Sequence, residues 1–525
     1  GRERVRALVA SADVLLESFD VGYLDGIGLG YEALSAGNPG LVYASITPFG
    51  TDGPKAGYAA SDLTIAASSG EMALTGDDDR APVRIGVPQA GAHAGAVAAQ
   101  GVLVALRARK RSGLGQLVDV SAQTALMAAT QSSILSAAVG DADTVRFTGG
   151  VSLSGLPIPL VWRASDGFVS LTFLFGAAIG PFSRRLMEWI EEAGGCDEAT
   201  RDKDWLNYTQ LLMSGEEPPA EYQRVLGVVG AFLATKTKAE LLEEAMSRRL
   251  LIVPMSSIGD LHDSIQFADR DYWWDVEREG RSVRFPGAFA RMSATPLEVG
   301  EPAPSVGQHD GEYEAAVERV PQIERIEGAE GALPLSGLKV LDFMWVVAGP
   351  TATRVMADHG ATVVKVESTT RVDTARGLGP WVGGTPGPEQ SALYQNMSAG
   401  KLGLTLDLAS EAGRAVALDL VRWADVVGES FSPRAMRAWG MDYESLRAVN
   451  PGLIMVSSSL FGQSGPYSDI AGFGTMGAAA AGFNVVTGWA DRNPAMVAAY
   501  SDYVAPRFTV AAILAALEHR DRTGE

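Results

Sequence analysis

A single carboxylate, Asp502, stands between Ser501 and Tyr503 near the head of the stretch AYSDYVAPRFTVAAILAALEHRDRTGE, residues 499–525. Phe508, Val510, Ala511, Ile513, Leu514 and Leu517 follow it at helical steps of three and four, and Gly524 supplies a stop after the charges of 518–522. A carboxylate just ahead of a helix meets unpaired backbone N–H groups and the positive end of the helix dipole. That setting favours the ionised form, which a carboxylate nucleophile needs. Taken alone, the stretch is read more simply as holding an ordinary N-cap or loop Asp, and only the rest of the chain can favour the nucleophile.

The elements that would position such a residue belong to a large chain. At 525 residues it exceeds one ordinary core, so two or more domains are expected. Apolar content of 46% with 20% charged residues is that of a globular protein. A net charge of −20 with no basic stripe argues against nucleic acid as a partner, but leaves room for a polyphosphate ligand held by a local patch. The lone Cys196 gives no disulfide framework and no Cys-rich metal site, which points to a reducing, cytoplasmic setting. His93, His262, His309, His359 and His519 show no ligand spacing and read as surface or structural residues, so no metal site is expected. No leader-like segment and no bilayer-length apolar run is read, so no membrane partner is expected. The chain opens without Met and ends just after an Arg-rich turn, which reads as a fragment.

The internal repeat organises the rest. ADVLLESF at 12–19 recurs as ADVVGESF at 424–431, Asn38-Pro39-Gly40-Leu41 as Asn450-Pro451-Gly452-Leu453, and Phe49-Gly50 with Gly53-Pro54 as Phe461-Gly462 with Gly465-Pro466, each pair 412 apart. The spacing slips to 411 where Ser112-Gly113 meets Thr523-Gly524. So long a period is a domain duplication, not a solenoid. Residues 1–146 read as a partial large domain of the first copy, with a long Ala-rich helix from Ala122. Residues 147–300 read as a smaller α+β domain, 301–332 as a polar linker, and 333–525 as the large domain of the second copy. In that copy LSGLKVLDF, the turn MWVVAGP, helix TATRVMADH and strand ATVVKVE form a βαβ unit, hence a parallel sheet. Glu367 at the second strand end invites a dinucleotide reading, but the turn offers only Ala348-Gly349-Pro350 and lacks GxGxxG.

The ordered series LPLSGLKVLDF, AGP, MADHGATVVKVE, GKLGLTLDL, ADVVGESF, NPGLIMVSSSLFGQSGPY and the closing Ser-Asp, helix and Thr-Gly resembles the family III CoA-transferases, the group of formyl-CoA transferase, carnitine CoA-transferase and methylacyl-CoA racemase. The resemblance covers 333–525 strongly and 1–300 as a shifted second copy. It implies an α/β fold with a Rossmann-like large domain and a small domain, two copies interlocked as rings. It implies a transferase that moves CoA from an acyl-CoA to a carboxylic acid, with coenzyme A as substrate and no tightly bound cofactor. Its partners would be these substrates, with the two copies paired within the chain and a further homodimer an open possibility.

The resemblance also assigns residues. The family nucleophile lies 21 places before the Thr of the Thr-Gly turn, which is Asp502 here and Gly91 in the first copy, so only the second copy keeps the chemistry. The positions matched for CoA are Val346, Val347 and Ala348, then Met397, Ser398, Ala399 and Gly400, then Ser430 and Phe431, the last as an adenine platform or as core. The family Arg is replaced by Ala438, and by Gly26 in the first copy, which leaves Arg437, Arg371 or Arg376 for phosphate. Ser368 stands where a basic residue often follows the strand-ending Glu, and Thr148-Gly149-Gly150 faintly echoes the small-domain Gly loop. The racemases of the group pair their Asp with a His, but that position holds Phe473 here and Ser61 in the first copy, and neither moves a proton. A transferase–lyase and a non-catalytic CoA-binding fragment remain as further readings.

Overall fold

The computed structural model describes the chain except for residues 142, 154–155, 177–178, 299–301 and 313–330. Most of the linker expected at 301–332 therefore lies outside the described residues. Strands β1 (Val14–Glu17), β2 (Val42–Thr47) and β3 (Leu117–Ser121) make one parallel sheet in that order. Strands β4 (Val145–Phe147), β5 (Gly150–Leu153) and β6 (Leu156–Pro159) form an antiparallel meander, and β7 (Val161–Ala164), β8 (Gly167–Leu171) and β9 (Ile252–Pro254) a second antiparallel sheet, with helices between β8 and β9. A hairpin of β10 (Trp273–Arg278) and β11 (Arg281–Pro286) follows. The last sheet contains β12 (Lys339–Phe343), β13 (Thr362–Glu367), β14 (Leu402–Thr405), β15 (Val426–Glu429) and β16 (Ile454–Ser457). Its order is β14-β13-β12-β15-β16 and every pairing is parallel.

Strands β12, β13 and β15 are Val- and Leu-rich because helices cover both faces, as parallel sheets require. On one face Ala352 and Met356 of helix Ala348–Asp358 and Val510, Ile513, Leu514 and Leu517 of helix Tyr500–Thr523 pack against Val340, Val363 and Val426. Ala417 and Val421 of helix Glu411–Trp423 cover the other face, with Met436, Met441 and Leu446. Each such fully buried aliphatic side chain contributes roughly 2 kcal/mol, so packing fixes the place of the Tyr500 helix.

Positions 412 apart, or 411 apart past the slip, make the same bonds. Asn38 Nδ2 donates to the carbonyls of Val9 and Ala12 at 3.0 and 2.8 Å, and Asn450 Nδ2 to those of Val421 and Ala424 at 3.0 and 2.8 Å. Arg109 pairs with Asp13 and the Gly40 carbonyl as Arg520 does with Asp425 and the Gly452 carbonyl. The helix Ala90–Ser112 runs beside Tyr500–Thr523 and in the same direction: Gln89 meets Tyr500 at one end, while Arg107–Asp521 (2.8 Å) and Lys110–Glu518 (2.7 Å) close the other. A shift of 411 places turns one of these ion pairs into the other. The single long helix expected from Ala122 is instead broken into Ala122–Met127 and Gln131–Val139, separated by a tighter 3₁₀ turn at Ala128–Thr130. There the Thr130 hydroxyl bonds the Met127 carbonyl at 2.8 Å and competes with the backbone ladder. No helix of the described residues is long and apolar enough to cross a membrane.

Candidate active site

Asp502 does not precede its helix. The helix opens at Tyr500, so Asp502 lies in the first turn, and its own N–H is bound to the Ala499 carbonyl at 3.1 Å. Pro506, inside the helix, has no N–H to give the Asp502 carbonyl four places back, so the turn is held by its surroundings rather than by its own ladder. The main surrounding is Gly474, the first residue of helix Gly474–Ala480. Its N–H donates to Asp502 Oδ2 at 3.1 Å, and its carbonyl accepts from Ser501 Oγ at 3.1 Å. A Cβ on residue 474 would lie 2.5 Å from Asp502 Cγ, so only glycine allows this approach.

The expectation that the helix start keeps Asp502 ionised is overturned. Although part of the residue's surface is open, the carboxyl is packed around closely enough that burial pushes its pKa up to about 7, against the one backbone N–H that favours the charge. Such a group ionises in the neutral range and, once charged, is poorly solvated and reactive.

Helix Gly474–Ala480 ties this carboxylate to strand β9 and its neighbours. Met476 and Ala479 pack with Val253, Leu251 and Met255 on and beside β9, and the N–H of Ser256 donates to the Ala479 carbonyl at 3.1 Å. Phe473, the position matched to the racemase base, packs against the same cluster, and Ser61 caps helix Asp62–Ser69. Neither is a proton carrier.

Of the positions matched for CoA, several converge. Val346, Val347 and Met397 share one apolar cluster with Tyr500 and Tyr503, which lie two residues before and one residue after Asp502. Val346 holds φ at 68°, which is strained for a β-branched residue, and its N–H donates to Asp373 Oδ1 at 2.9 Å. Asp373 is buried and paired with buried Lys365 at 2.8 Å, which also donates to the Met344 carbonyl, so the turn between β12 and its helix is anchored from below. Ala348 opens that helix. Ser430 Oγ accepts from the Trp345 N–H at 2.9 Å, and Phe431 packs edge-on against Trp345 and Trp439, so its core role is the one seen. Ser398 is half-buried, while Ala399 and Gly400 are exposed at the end of helix Ala392–Ser398. The turns after β12 and β15 flank the point where the strand order reverses, the usual place for a ligand crevice.

The arginines do not join this group. Arg437 is exposed on the last turn of helix Pro433–Ala438, and Arg371 is exposed as well. Arg376 is consumed by structure: it grips Glu367 through two nitrogens at 2.9 Å, donates to Tyr394 Oη at 2.7 Å and lies over that ring. Burial would raise the Glu367 pKa, but Arg376 and Tyr394 outweigh it and hold it at about 2, and both its oxygens are already taken by Arg376, Tyr394 and the Asp373 N–H. Thr148 bonds Asp78 through N–H and hydroxyl at 3.1 and 2.9 Å, so the Gly149 turn is tied down.

Sequence reasoning passed over His93. It is buried beside Tyr500, Oη to Nε2 2.6 Å, and beside buried Arg507, whose Nη1 is 2.9 Å from Nδ1. Its only sequence signal is its place two residues after Gly91, on the helix that faces the Asp502 helix.

The family model of CoA-transferase family III matches residues 1–310 and 335–525, and the chain belongs to that family. It is 35% identical over 318 residues to the succinyl-CoA:(R)-benzylsuccinate CoA-transferase subunit BbsE of Thauera aromatica, covering 59% of this chain and 74% of that one. Along its whole length it is 29% identical to a probable CoA-transferase of Mycobacterium tuberculosis, of which it spans 64%. The crystal structure of a CaiB/BaiF family protein from Brucella suis matches with a TM-score of 0.50 and 27% identity, over 60% of this chain and 78% of that one.

Proposed function

We propose that this member of CoA-transferase family III moves CoA from an acyl-CoA to a carboxylic acid, with Asp502 as the nucleophile. The carboxylate attacks the thioester carbonyl and CoA thiolate leaves, giving an aspartyl mixed anhydride. The thiolate attacks the aspartyl carbonyl of that anhydride, releases the donor acid and leaves an aspartyl-CoA thioester. The acceptor carboxylate repeats the two exchanges in reverse, so CoA emerges on the acceptor and Asp502 is regenerated. The observation that carries this reading is the Asp502–Gly474 pair: a buried carboxylate with a pKa near 7 and one backbone N–H at hand. That N–H, at a helix start, is suited to stabilise the oxyanion formed on the aspartyl carbonyl.

The acyl-CoA is assigned to the crevice over β12 and β15, with Val346, Val347, Ala348, Met397, Ser398, Ala399, Gly400 and Ser430 beside the thioester arm. The β14-β13-β12-β15-β16 order supports a Rossmann-like large domain, and the shared Asn38 and Asn450 bonds support a duplication whose second copy, 333–525, carries the chemistry. The helix pair Ala90–Ser112 and Tyr500–Thr523 supports pairing of the copies within one chain. From the Thauera relative we infer a dicarboxylic acyl group such as succinyl on one of the substrates. Racemase chemistry is disfavoured by Phe473 and Ser61. Incubation with succinyl-CoA followed by hydroxylamine and mass spectrometry tests the assignment: a hydroxamate on Asp502 is expected, and an Asp502→Asn variant that keeps most transferase activity would refute it.

A further inference from the structure

Away from the crevice turns, the loop after β16 meets the domain at 147–300 in an unusual way. Gln266, almost fully buried, donates from Nε2 to the carbonyls of Phe461 and Ser464 at 2.7 and 2.8 Å and accepts at Oε1 from the Tyr467 N–H at 2.8 Å. These bonds fix the loop's shape. Gly462 and Gly465, both at positive φ, let the other domain approach: a Cβ on either would collide with the Arg270 guanidinium or the Gln266 amide. With the loop so pinned, two cations converge on one hydroxyl. Arg270 Nη1 lies 3.0 Å from Ser464 Oγ, and Arg291 Nη1 lies 3.3 Å from the same oxygen.

A serine oxygen has two lone pairs and one proton. Both lone pairs face guanidinium donors here, so the hydroxyl proton is left to point outward beside the remaining N–H groups. Among the described residues neither Arg270 nor Arg291 has an acidic partner within ion-pair distance, in a chain whose net charge is −20. The two cations repel, and burial together with Arg291 holds the Arg270 pKa below its usual value against the weaker pull of Asp269, which lies outside ion-pair distance. The arrangement is that of a site waiting for an oxyanion: planar forks that match carboxylate or phosphate, with a hydroxyl donor between them.

The first copy makes the contrast. The position 412 before Ser464 is Asp52, an exposed carboxylate that would repel an anion, in the copy whose counterpart of Asp502 is Gly91. The second copy keeps the serine and the carboxylate together. Leu460, at the head of the same loop, lies beside Gly472 and Gly477, and Gly477 in turn faces Ser501 next to Asp502. The loop therefore borders the Asp502 side of the cleft.

We propose that Arg270, Arg291 and Ser464 form an oxyanion-binding subsite at the domain seam, which takes an anionic group of the substrates. This rests on the CoA-transfer reading of the cleft. The anion is either the free carboxylate of a dicarboxylic acyl group or acceptor, or a phosphate of CoA, and the chemistry of recognition is shared.

Two measurements on the full chain decide it. Calorimetric titration with succinate and with inorganic phosphate is independent of turnover, so it stands even where the transfer reading fails. Wild type is expected to bind one of them, and Arg270→Gln/Arg291→Gln to bind it at least about tenfold more weakly. In steady-state assays the double variant is expected to raise one KM by about tenfold or more with kcat within about threefold, the signature of lost binding. A rise in the KM of the acid, or of a dicarboxylic acyl-CoA but not of acetyl-CoA, identifies a carboxylate. A rise for every acyl-CoA, together with weakened phosphate binding, identifies CoA. Arg270→Lys, which keeps the charge, is expected to recover part of the loss. Wild type that binds neither ion, or a folded double variant with unchanged affinities and KM values, overturns the subsite. Should the double variant fail to fold, Arg291→Gln alone decides, since that side chain is exposed: an unchanged affinity and KM there overturns it too.

Discussion

The guanidinium of Arg507 donates to Nδ1 of His93 across 2.9 Å, although the two residues stand 414 places apart. Because Nδ1 accepts, Nε2 carries the ring proton and faces Tyr500 Oη at 2.6 Å, and the Tyr500 hydroxyl donates in turn to Gln89. Arg507 also donates to the carbonyls of Tyr503 and Ala125 at 2.7 and 2.6 Å. One directed chain of hydrogen bonds thus joins the Ala90 and Tyr500 helices at the end where Asp502 lies.

Burial and the neighbouring Arg507 push the His93 pKa down to about 3, so it is neutral in the folded protein. The unfolded imidazole titrates near its ordinary value of about 6.5. Stability from this group is therefore intact above about pH 6.5 and is lost as pH falls from there toward 3. His93→Gln should lower Tm by about 2–6 °C at pH 7.5, for the bonds and packing removed. The gap between wild type and variant should narrow as the melts are repeated down to pH 4.5. A gap that stays constant would contradict a neutral, buried His93.

Asp502 shows the opposite sign. Its folded pKa is raised to about 7, so its contribution to stability is greatest below about pH 4 and falls as pH rises through 7. Asp502→Asn should abolish transfer, by about a thousandfold or more, while raising Tm by about 1–4 °C at pH 8 and by less at pH 5. In the wild type, kcat/KM should climb through an acidic limb near pH 7 as the carboxylate ionises. A limb near pH 4 would mean that the free enzyme solvates this carboxylate normally.

Gly474→Ala places a methyl 2.5 Å from Asp502 Cγ and 2.7 Å from the Ala499 carbonyl. The side chain must swing away from the N–H it accepts from. A displacement of about 1 Å at a reacting group costs about a hundredfold in rate. The expected outcome is that loss in kcat/KM with a Tm within a few degrees of wild type. Full activity would show that Gly474 does not set the carboxylate.

Much of this architecture is legible in the residues themselves. The alternation of apolar strand, Gly-rich turn and amphipathic helix from Leu338 to Glu367 marks a parallel unit, and the repeated Asn-Pro-Gly-Leu marks equivalent turns whose Asn side chains make the same two bonds. What local pattern does not hold is burial contributed by distant segments. Asp502 reads as an ionised helix-start residue because the dipole is a local effect, while the desolvation that outweighs it comes from packing around Gly474. His93 reads as one of five scattered histidines, since its partners are Tyr500 and Arg507. Arg376 reads as a free cation beside a phosphate site, and its capture by Glu367 depends on a fold-back of the loop between them. Arg270 and Arg291 carry no sequence signal, because their meeting point is a loop about 170–190 residues further on.

The positions 411 and 412 places before those of the Asp502 site are closed in their own way, and a carboxylate added there should not create a second site. The partner of Asp502 is Gly474, and the residue 412 places before Gly474 is Asp62. Its Oδ1 already accepts from the N–H groups of Gln89 and Ala90, both at 2.9 Å, so the opening of the Ala90 helix is capped by a carboxylate. Arg84 lies 3.4 Å from its other oxygen. Gly91, the counterpart of Asp502, is exposed and has nothing within 4 Å of where a Cβ would stand. An aspartate placed there fits without strain but remains in water, ionised, and close to the like charge of Asp62. No burial desolvates it, no backbone N–H is left to receive its oxyanion, and Asp52 replaces Ser464 on the neighbouring loop. As an acidic residue in a first helical turn it should even add up to about 1 kcal/mol of stability. The decisive form is the double variant Gly91→Asp/Asp502→Asn. It should fold at least as well as Asp502→Asn, carry no hydroxylamine-sensitive adduct at position 91, and show no return of transfer above the Asp502→Asn background. Recovery of even about one per cent of wild-type kcat/KM would mean that the residues around Gly91 hold a working CoA site that lacks only a carboxylate.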